Sequence, residues 1–263
     1  MSNKKVIYLD EEWTKFGDAD DIIAFYTQSH PNLENYVLQI KKADELKQLP
    51  SNTILSGVIL AQTQVIQHHL NSLYNQSILA KIIPDTYDTE FANFYKRDIT
   101  QSTIGEIKDT YISKGTSRFI KPLANSKIFD GLVIYDLDDL DSLYSKHPEL
   151  TPGTVVYSCP VIDIQGEMRI LIGSSKVYGI GQISIESPPN QDYKVDLIDE
   201  LIRCVGDRFL CVDIGWVPEI NSWVVIEINP PFSLENYDIP LVDYLEFTED
   251  AFQWISELIY RPH

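Results

Sequence analysis

The stretch from 207 to 229 constrains the fold more than any other part of the chain, because it holds two long apolar segments separated by a short turn. DRFLCVDIGWV (207–217) and SWVVIEIN (222–229) are rich in β-branched and aromatic residues, which favour strands. The connecting PEINS is typical of a turn, and Pro230 and Pro231 end the second segment. The sequence therefore predicts an antiparallel hairpin that folds back about Ile220.

Polar side chains at the end of this hairpin are predicted to converge. Glu227 and Asn229 are two residues apart and share one face of the strand, and a hairpin about Ile220 places Asp213 opposite Glu227. Two facing carboxylates in apolar surroundings repel each other, and a divalent cation would remove that repulsion. All-oxygen ligands suit Mg²⁺ or Mn²⁺ rather than zinc. The alternative is a solvated strand end that these side chains merely cap, and the spacing alone leaves both open.

The first third of the chain alternates between strand-like and helix-like segments. Strands are predicted at 6–10, 36–40 and 53–60, and helices at 18–28 and 61–74, with a further charged helix ending at Pro50. This alternation favours a small, mostly parallel sheet of the α/β type.

From about Pro84 the pattern changes, since PDTYDTEF (84–91) is loop-like. We place a domain boundary here, with an N-terminal α/β domain over 1–88 and a second domain over 89–263. Hairpins dominate the second domain, which is therefore expected to be α+β with antiparallel sheets. Besides the closing hairpin, its predicted strands lie at 117–122, 129–135, 153–163, 167–173 and 176–183, and its predicted helices at 102–113, 195–204 and 244–260. GIG (179–181) is attributed to strand packing, and DLDDLD (136–141) to a solvated loop or a first helical turn.

Composition limits the partners. The formal net charge of −18 repels phosphate backbones and anionic membranes, which argues against nucleic acid and membrane surfaces as partners. No apolar run approaches the ~18 residues of a membrane span, and no signal peptide is evident at the start. The three cysteines have no metal-ligand spacing and are typical of a reduced, cytoplasmic protein.

Two further stretches carry polar residues next to strands. In RFIKPLANSKIFDG (118–131), Lys121 ends an apolar strand, and Ser126 and Lys127 lie in the loop that follows. Nearby lysines in so acidic a protein suit a polyphosphate, although a single lysine at a strand end often only extends into solvent. In CPVIDIQGEMRIL (159–171), Glu167 and Arg169 share one face of a strand, and the alternative there is a surface ion pair of small energetic value.

The order of these stretches resembles the ATP-grasp superfamily. A Lys-Pro pair, a loop, a hinge strand, Glu-x-Arg, and then Asp and Glu-x-Asn on a closing hairpin follow one another over about residues 91–260. The chain is similar to the small ATP-grasp proteins of bacteria and phages whose loop reads KP-x-x-x-x-K-x-F-x-G. The resemblance implies an ATP-grasp fold, in which two α+β subdomains enclose ATP, preceded by a small α/β domain.

The resemblance also implies which residues would contact the phosphates. Lys121 would contact the α- and β-phosphates. The loop over 125–131, with Ser126 and Lys127, would cover the triphosphate. Arg169 would act on the transferred phosphate or on the acyl intermediate as the catalytic residue. The loop lacks the glycines found in many relatives.

The same resemblance implies a nucleoside site and a metal site. Ser158 to Val161 would form the adenine hinge through backbone groups, and Glu167 would bind the ribose hydroxyls. Pro160 has no N–H, so the adenine contact falls to Val161 or Cys159. The metal ligands would be the hairpin residues Asp213, Glu227 and Asn229, and the metal Mg²⁺ or Mn²⁺.

The function implied is an ATP- and Mg²⁺-dependent ligase that joins a carboxylate to an amine or thiol through an acyl phosphate. The partners would be ATP, a carboxylate substrate and an amine or thiol acceptor, which could be a small molecule or the end of a peptide or protein. The alternatives are a kinase on the same scaffold and a non-catalytic nucleotide-binding module. A degenerate module would be expected to lack some of the phosphate and metal residues, and the sequence retains all of them.

Overall fold

The structure, a computed structural model, describes residues 5–12, 36–50, 53, 57–123, 128–184, 195–232 and 234–258. The helix predicted over 18–28 lies outside these residues. The chain divides into two compact units, each described by itself below. The first unit comprises Met1–Ile83, Gly166–Ile214 and Asn229–His263, and the second comprises Pro84–Gln165 and Gly215–Ile228. The boundary predicted after residue 88 stays a prediction about domain organisation.

The first unit contains a three-stranded parallel sheet in the order β2-β1-β3, as the alternating pattern predicts. Strand β1 (Lys5–Asp10) is central, and Ile7 pairs with Leu38 on one side and Val58 on the other. The flanking elements are β2 (Tyr36–Lys41), α1 (Ala43–Lys47), β3 (Gly57–Leu60), α2 (Thr63–Leu73) and α3 (Gln76–Ile82).

Helix α2 places Val65, Ile66, His69 and Leu70 in the core, which matches the periodicity of its sequence. His69 is fully buried, and its Nε2 donates a hydrogen bond to the carbonyl oxygen of Leu46 at 2.9 Å. This bond ties helix α2 to helix α1.

A four-stranded sheet has the order β11-β10-β8-β9. Its strands are β8 (Gln165–Gly173), β9 (Lys176–Gln182), β10 (Phe209–Val217) and β11 (Ser222–Asn229), and a short helical turn over Pro218–Ile220 connects the last two. The predicted closing hairpin and its turn are thereby confirmed. Helix α7 (Val195–Val205) precedes β10, and helix α8 (Leu241–Glu257) follows β11.

One apolar core serves the whole first unit. Helix α8 buries Leu245, Phe252 and Ile255, as its sequence pattern predicts, whereas Ile259 lies outside the described residues. The core takes side chains from all three chain segments of the unit, among them Ile7, Leu9, Ile59, Leu171, Phe209, Phe247, Phe252 and Trp254. A hydrogen bond from the hydroxyl of Tyr74 to the carbonyl of Ile255 joins the first segment to the last.

The second unit is built on an antiparallel sheet in the order β4-β7-β5-β6. Its strands are β4 (Thr100–Thr103), β5 (Arg118–Pro122), β6 (Leu132–Ile134) and β7 (Val155–Pro160), and its helices are α4 (Ala92–Tyr95), α5 (Ile104–Lys114) and α6 (Leu137–Lys146). The mixed α+β architecture predicted from the sequence is confirmed. DLDDLD forms the start of helix α6, with Asp136 as its N-cap, so the helical-turn interpretation is the correct one.

Among the described residues, no helix has both the length and the apolar character needed to cross a membrane.

Candidate active site

Arg169 and Asp213 form the centre of a polar cluster in the first unit. Arg169 lies on β8 and Asp213 on the neighbouring strand β10, and their side chains pair across the sheet. Nε and Nη2 of Arg169 donate to Oδ1 and Oδ2 of Asp213, both at 2.8 Å. Arg169 is 7% exposed and Asp213 is 4% exposed, so this is a buried, two-pronged ion pair. A surface ion pair is therefore the wrong interpretation of Arg169.

Asn229 is the third member of the cluster. It ends strand β11, and its Nδ2 donates to Oδ2 of Asp213 at 3.1 Å. The carboxylate of Asp213 thus accepts three hydrogen bonds, two from Arg169 and one from Asn229. Two of the three predicted metal ligands, Asp213 and Asn229, are in contact.

Burial and the charge of Asp213 shape the electrostatics of this cluster. Burial alone lowers the pKa of Arg169, but the nearby Cys211 and Asp213 raise it, and the net result is a pKa above the usual arginine value. Arg169 is therefore cationic at every physiological pH. Burial, and then the negative charge of Asp213, raise the pKa of Glu167. Glu167 is partly buried, and its backbone N–H donates to the hydroxyl of Ser184 at 2.9 Å.

The segment after β11 adds an aromatic residue that the sequence analysis did not single out. The guanidinium of Arg169 lies over the ring of Tyr237, with 4.6 Å between Cζ and the ring centroid. Burial, followed by a hydrogen bond to Glu235, raises the pKa of Tyr237 to about 12. The only sequence signal for such a role was the position of Tyr237, eight residues after Asn229.

In the second unit, Lys121 and Glu227 form an ion pair. Lys121 lies on β5, and its Nζ donates to Oε2 of Glu227 on β11. The two side chains are 25% and 21% exposed, so solvent reaches both. Glu227 thus has a cationic partner in its own unit. The predicted placement of Asp213 opposite Glu227 joins residues of different units and stays a prediction.

The predicted hinge residues differ in how far the sheet uses their backbone. Strand β7 lies between β4 and β5, and Ser158 pairs with Thr100 on one side and Ile120 on the other. The hydroxyl of Ser158 also accepts a hydrogen bond from Nε of Arg118 at 3.0 Å. Cys159 is buried, whereas Val161 follows the end of the strand and is 38% exposed. Of the three predicted adenine contacts, Val161 is the one beyond the strand.

Ser126 and Lys127 of the predicted phosphate loop lie outside the described residues. At the end of that loop, a Cβ on Gly131 would come within 2.5 Å of Cζ of Phe119. Gly131 therefore admits the ring of Phe119, which is on β5 two residues before Lys121.

A buried carboxylate in the first unit also escaped the sequence analysis. Asp10 ends the central parallel strand and is fully buried, and its Oδ1 accepts a hydrogen bond from the N–H of Glu12 at 3.0 Å. Its Oδ2 has no hydrogen-bond partner among the residues that the structure describes. An aspartate closing the apolar strand VIYLD was the available signal.

The donor chemistry fits a hard divalent cation. Asp213 and Asn229 offer carboxylate and amide oxygens, and Glu227 lies two residues before Asn229 on β11. Asn229 uses its Nδ2 toward Asp213, and its carbonyl oxygen is the atom that suits Mg²⁺. Within the described ranges, no group of three or more His, Cys, Asp or Glu side chains is arranged to hold a metal. A metal site here would therefore need the amide as well as the carboxylates.

Known structures share this fold. D-alanine–D-alanine ligase from Bacillus anthracis, in complex with ATP, has a TM-score of 0.58 at 14% identity, with 98% of this chain and 96% of that chain covered. D-cycloserine synthetase DcsG has a TM-score of 0.62 at 10% identity, covering 95% and 99%. The ligase PsnB, in complex with a minimal precursor, has a TM-score of 0.53 at 9% identity, covering 96% and 99%.

Sequence comparison gives the family. None of the curated proteins compared with the chain matches it significantly. A family model of the ATP-grasp domain, the second family of its clade, matches residues 94–247, which is more than half of the chain. The predicted ATP-grasp fold is confirmed, and the protein belongs to this family of ATP-grasp domains.

Proposed function

We propose that this protein is an ATP- and Mg²⁺-dependent ligase that joins a carboxylate to an amine or a thiol. The observation that carries the proposal is the buried cluster of Arg169, Asp213 and Asn229 in a member of the ATP-grasp family. A buried cation and carboxylate cost solvation energy, and a site that handles phosphate gives both charges a use.

We assign the phosphate and nucleoside contacts by family resemblance. Lys121 binds the α- and β-phosphates, and the loop with Ser126 and Lys127 covers the triphosphate. The hinge over Ser158, Cys159 and Val161 holds adenine, and Val161 is favoured because it lies beyond the strand end. Glu167 binds the ribose hydroxyls, and its raised pKa does not prevent it from accepting or donating a hydrogen bond.

Asp213, Glu227 and Asn229 would hold Mg²⁺ or Mn²⁺, which neutralises phosphate charge when bound. In the structure the two carboxylates are paired with Arg169 and Lys121 instead. A carboxylate has about four lone-pair positions, so these pairs leave acceptor capacity on both residues. The cations keep the carboxylates ionised and oriented before any ligand arrives.

The reaction proposed has two steps. An oxygen of the carboxylate substrate attacks the γ-phosphorus of ATP, the bond to the β–γ bridging oxygen breaks, and ADP leaves. The amine or thiol then attacks the acyl carbon, phosphate leaves with the C–O bonding electrons, and the nucleophile loses its proton. Lys121 and Arg169 supply positive charge along this path, which lowers the barrier by stabilising charge on the transferred group.

We further propose that 1–88 is the domain preceding the ATP-grasp domain, which spans 89–263, and that the protein works in the cytoplasm, where its three free cysteines stay reduced. The acceptor is a small molecule or a peptide or protein end. The compared PsnB structure contains a precursor, which supports a peptide acceptor. Nucleic acid and membranes are not expected partners at a net charge of −18.

A kinase on the same scaffold and a non-catalytic nucleotide-binding module are the alternatives. Product analysis separates the kinase from the ligase, because a ligase forms its product and ADP only when both the acid and the nucleophile are present. A module would bind nucleotide without turnover.

The test is Lys121→Ala with calorimetry of ATP and Mg²⁺. Loss of a charged hydrogen bond worth about 1.5–3 kcal/mol should raise the Kd for ATP about 10- to 100-fold. Lys121 is partly exposed at a strand end, so the fold should survive. Lys176→Ala is the matched control, because Lys176 also pairs with a glutamate, Glu246, but at an exposed position.

Two results would count against the proposal. If the parent protein binds no nucleotide with or without Mg²⁺, the nucleotide site itself is wrong. If Lys121→Ala unfolds the protein and has no separate effect on ATP, Lys121 is a structural residue and the loop assignment fails.

A further inference from the structure

Residues 234–240, here called the capping loop, hold the guanidinium of Arg169 from two directions. The carbonyl oxygen of Glu235 accepts a hydrogen bond from Nη1 at 3.1 Å. The ring of Tyr237 stacks on the guanidinium, 4.6 Å from Cζ to the centroid. Asp213 occupies the remaining edge with its two carboxylate oxygens. Three of the five N–H groups of Arg169 are therefore engaged, and two remain.

The capping loop has a backbone conformation that ordinary residues avoid. Tyr237 and Asp238 have φ angles of 45° and 62°, in the left-handed region. Two consecutive non-glycine residues persist there only when their surroundings fix them. The hydroxyl of Tyr244 donates to the carbonyl of Leu234 at 2.8 Å, and Leu234 and Ile239 are buried. The loop is thus anchored at both ends while its strained middle carries Tyr237.

The two glycines of β9 make room for the capping loop. A Cβ on Gly181 would lie 2.0 Å from the carbonyl oxygen of Tyr237. A Cβ on Gly179 would lie 2.5 Å from Cγ2 of Ile239. Neither contact is tolerable, so any side chain on these residues would push the loop away from β9. The strand packing expected for GIG is packing against this loop.

We propose that Tyr237 is a positioning residue for Arg169. Its ring, delivered by the capping loop, keeps the guanidinium in the plane that binds Asp213 and leaves its two remaining N–H groups for the transferred phosphate. The part concerning phosphate rests on the proposed function. The part concerning Arg169 rests on the contacts alone, because strain, the glycine clearances and stacking all converge on one cation.

Three variants separate the ring from the rest of the loop. Tyr237→Leu removes the ring, and Tyr237→Phe keeps it. Gly181→Ala retains Tyr237 but displaces its backbone. Gly153→Ala is the control, because its new Cβ would meet only an ordinary contact, 3.7 Å from Oγ1 of Thr151. Phosphate release from ATP with Mg²⁺, the Kd for ATP by calorimetry, and the apo melting temperature are measured for each.

The Leu and Gly181→Ala variants should lose about tenfold in turnover, equivalent to about 1.4 kcal/mol. Their Kd for ATP should change less than about threefold, because an orientation effect falls on the transferred group. Tyr237→Phe should restore most of the turnover lost in the Leu variant, and Gly153→Ala should match the parent. Equal turnover in the parent and in folded Tyr237→Leu overturns the proposal, and so does a Phe variant as impaired as the Leu variant.

A double-mutant cycle in the absence of nucleotide decides the inference even if ATP does not bind. Tyr237→Leu and Arg169→Lys, alone and together, are compared by urea unfolding. Coupled residues should show a non-additive change of about fivefold in the unfolding equilibrium constant. Additive effects overturn the positioning role, whatever the ATP result. Coupling without ATP binding instead keeps the positioning role and rejects the proposed function.

Discussion

Each predicted metal carboxylate has a cation beside it. Asp213 binds Arg169 in the first unit, and Glu227 binds Lys121 in the second. Repulsion between two bare carboxylates, which the sequence suggested as the cost of an empty site, is therefore offset within each unit. This changes what removal of one charge should do to the stability of the ligand-free protein.

Glu227→Gln should reduce both activity and, slightly, apo stability. The sequence alone predicts unchanged or greater apo stability, but the variant weakens the ion pair with Lys121, which is partly exposed and worth at most about 1 kcal/mol. Magnesium-dependent ATP turnover should fall about tenfold or more, as expected if about 1.4 kcal/mol of stabilisation is lost. Urea unfolding and phosphate release on the same pair of proteins measure the two effects.

Glu219→Gln is the control, since Glu219 is exposed on the turn that joins the two strands. Turnover equal to the parent in Glu227→Gln would mean that Glu-x-Asn only ends a strand. The metal would then have to be sought elsewhere.

At the level of single residues, the sequence predicted chemistry better than pairing. It predicted that Arg169, Asp213 and Asn229 belong to one site, and the structure brings these three together. The Arg169–Asp213 pair depends on β8 lying beside β10, a long-range adjacency that no local pattern encodes. Asp10 and Tyr237 were missed for the same reason, because their burial and contacts depend on segments distant in the sequence.

Between elements, the contact of helix α2 with helix α1 should be sensitive to pH. Burial lowers the pKa of His69, the bond to Leu46 opposes this effect, and His68 reinforces it. The folded state thus favours the neutral ring, whereas the unfolded chain has the ordinary value near 6.5. The contribution of His69 to stability is complete above that value and is lost as the pH falls through the lower, folded-state pKa.

His69→Gln keeps a donor for the carbonyl of Leu46 but cannot titrate. The urea midpoint of the parent should therefore fall more than that of the variant between pH 7.5 and pH 5. His68→Gln is the control, because His68 is adjacent and exposed. Parallel pH dependence in the parent and His69→Gln would contradict the prediction.

Strands with a clear apolar pattern were predicted, whereas β4 was not. Its sequence, TQST, has no apolar alternation, and it forms a strand because it pairs with β7 at the edge of the sheet. Helix α6 was recognised only as a possible first turn, since its start is a run of acidic residues that cap and neutralise the helix N-terminus. In both cases tertiary pairing and capping outweigh the hydrophobic pattern.

For the whole molecule, the order of elements was predictable, but their grouping into compact units was not. Local patterns report on neighbours along the chain, and the first unit gathers three separate chain segments. Its core joins residues of the N-terminal sheet, such as Ile59, to residues of helix α8, such as Phe252.

Residues 1–88 alone should therefore not fold cooperatively. The fragment retains the parallel sheet but loses the core partners supplied by β8, β10 and α8. So short a chain then buries too little apolar surface to offset its conformational entropy. An amide proton spectrum with little dispersion and a urea transition without a sigmoidal shape are expected. A well-dispersed spectrum from the fragment would contradict the prediction.

The interleaving of the two units also sets an order during synthesis on the ribosome. The last residue of the second unit is Ile228, so that unit can close once the chain has emerged that far. The first unit starts at the N-terminus but needs helix α8, which ends at Glu257. The first segment to leave the ribosome must therefore wait for nearly the entire chain, and its apolar strands are the part of the nascent protein that most needs protection from aggregation.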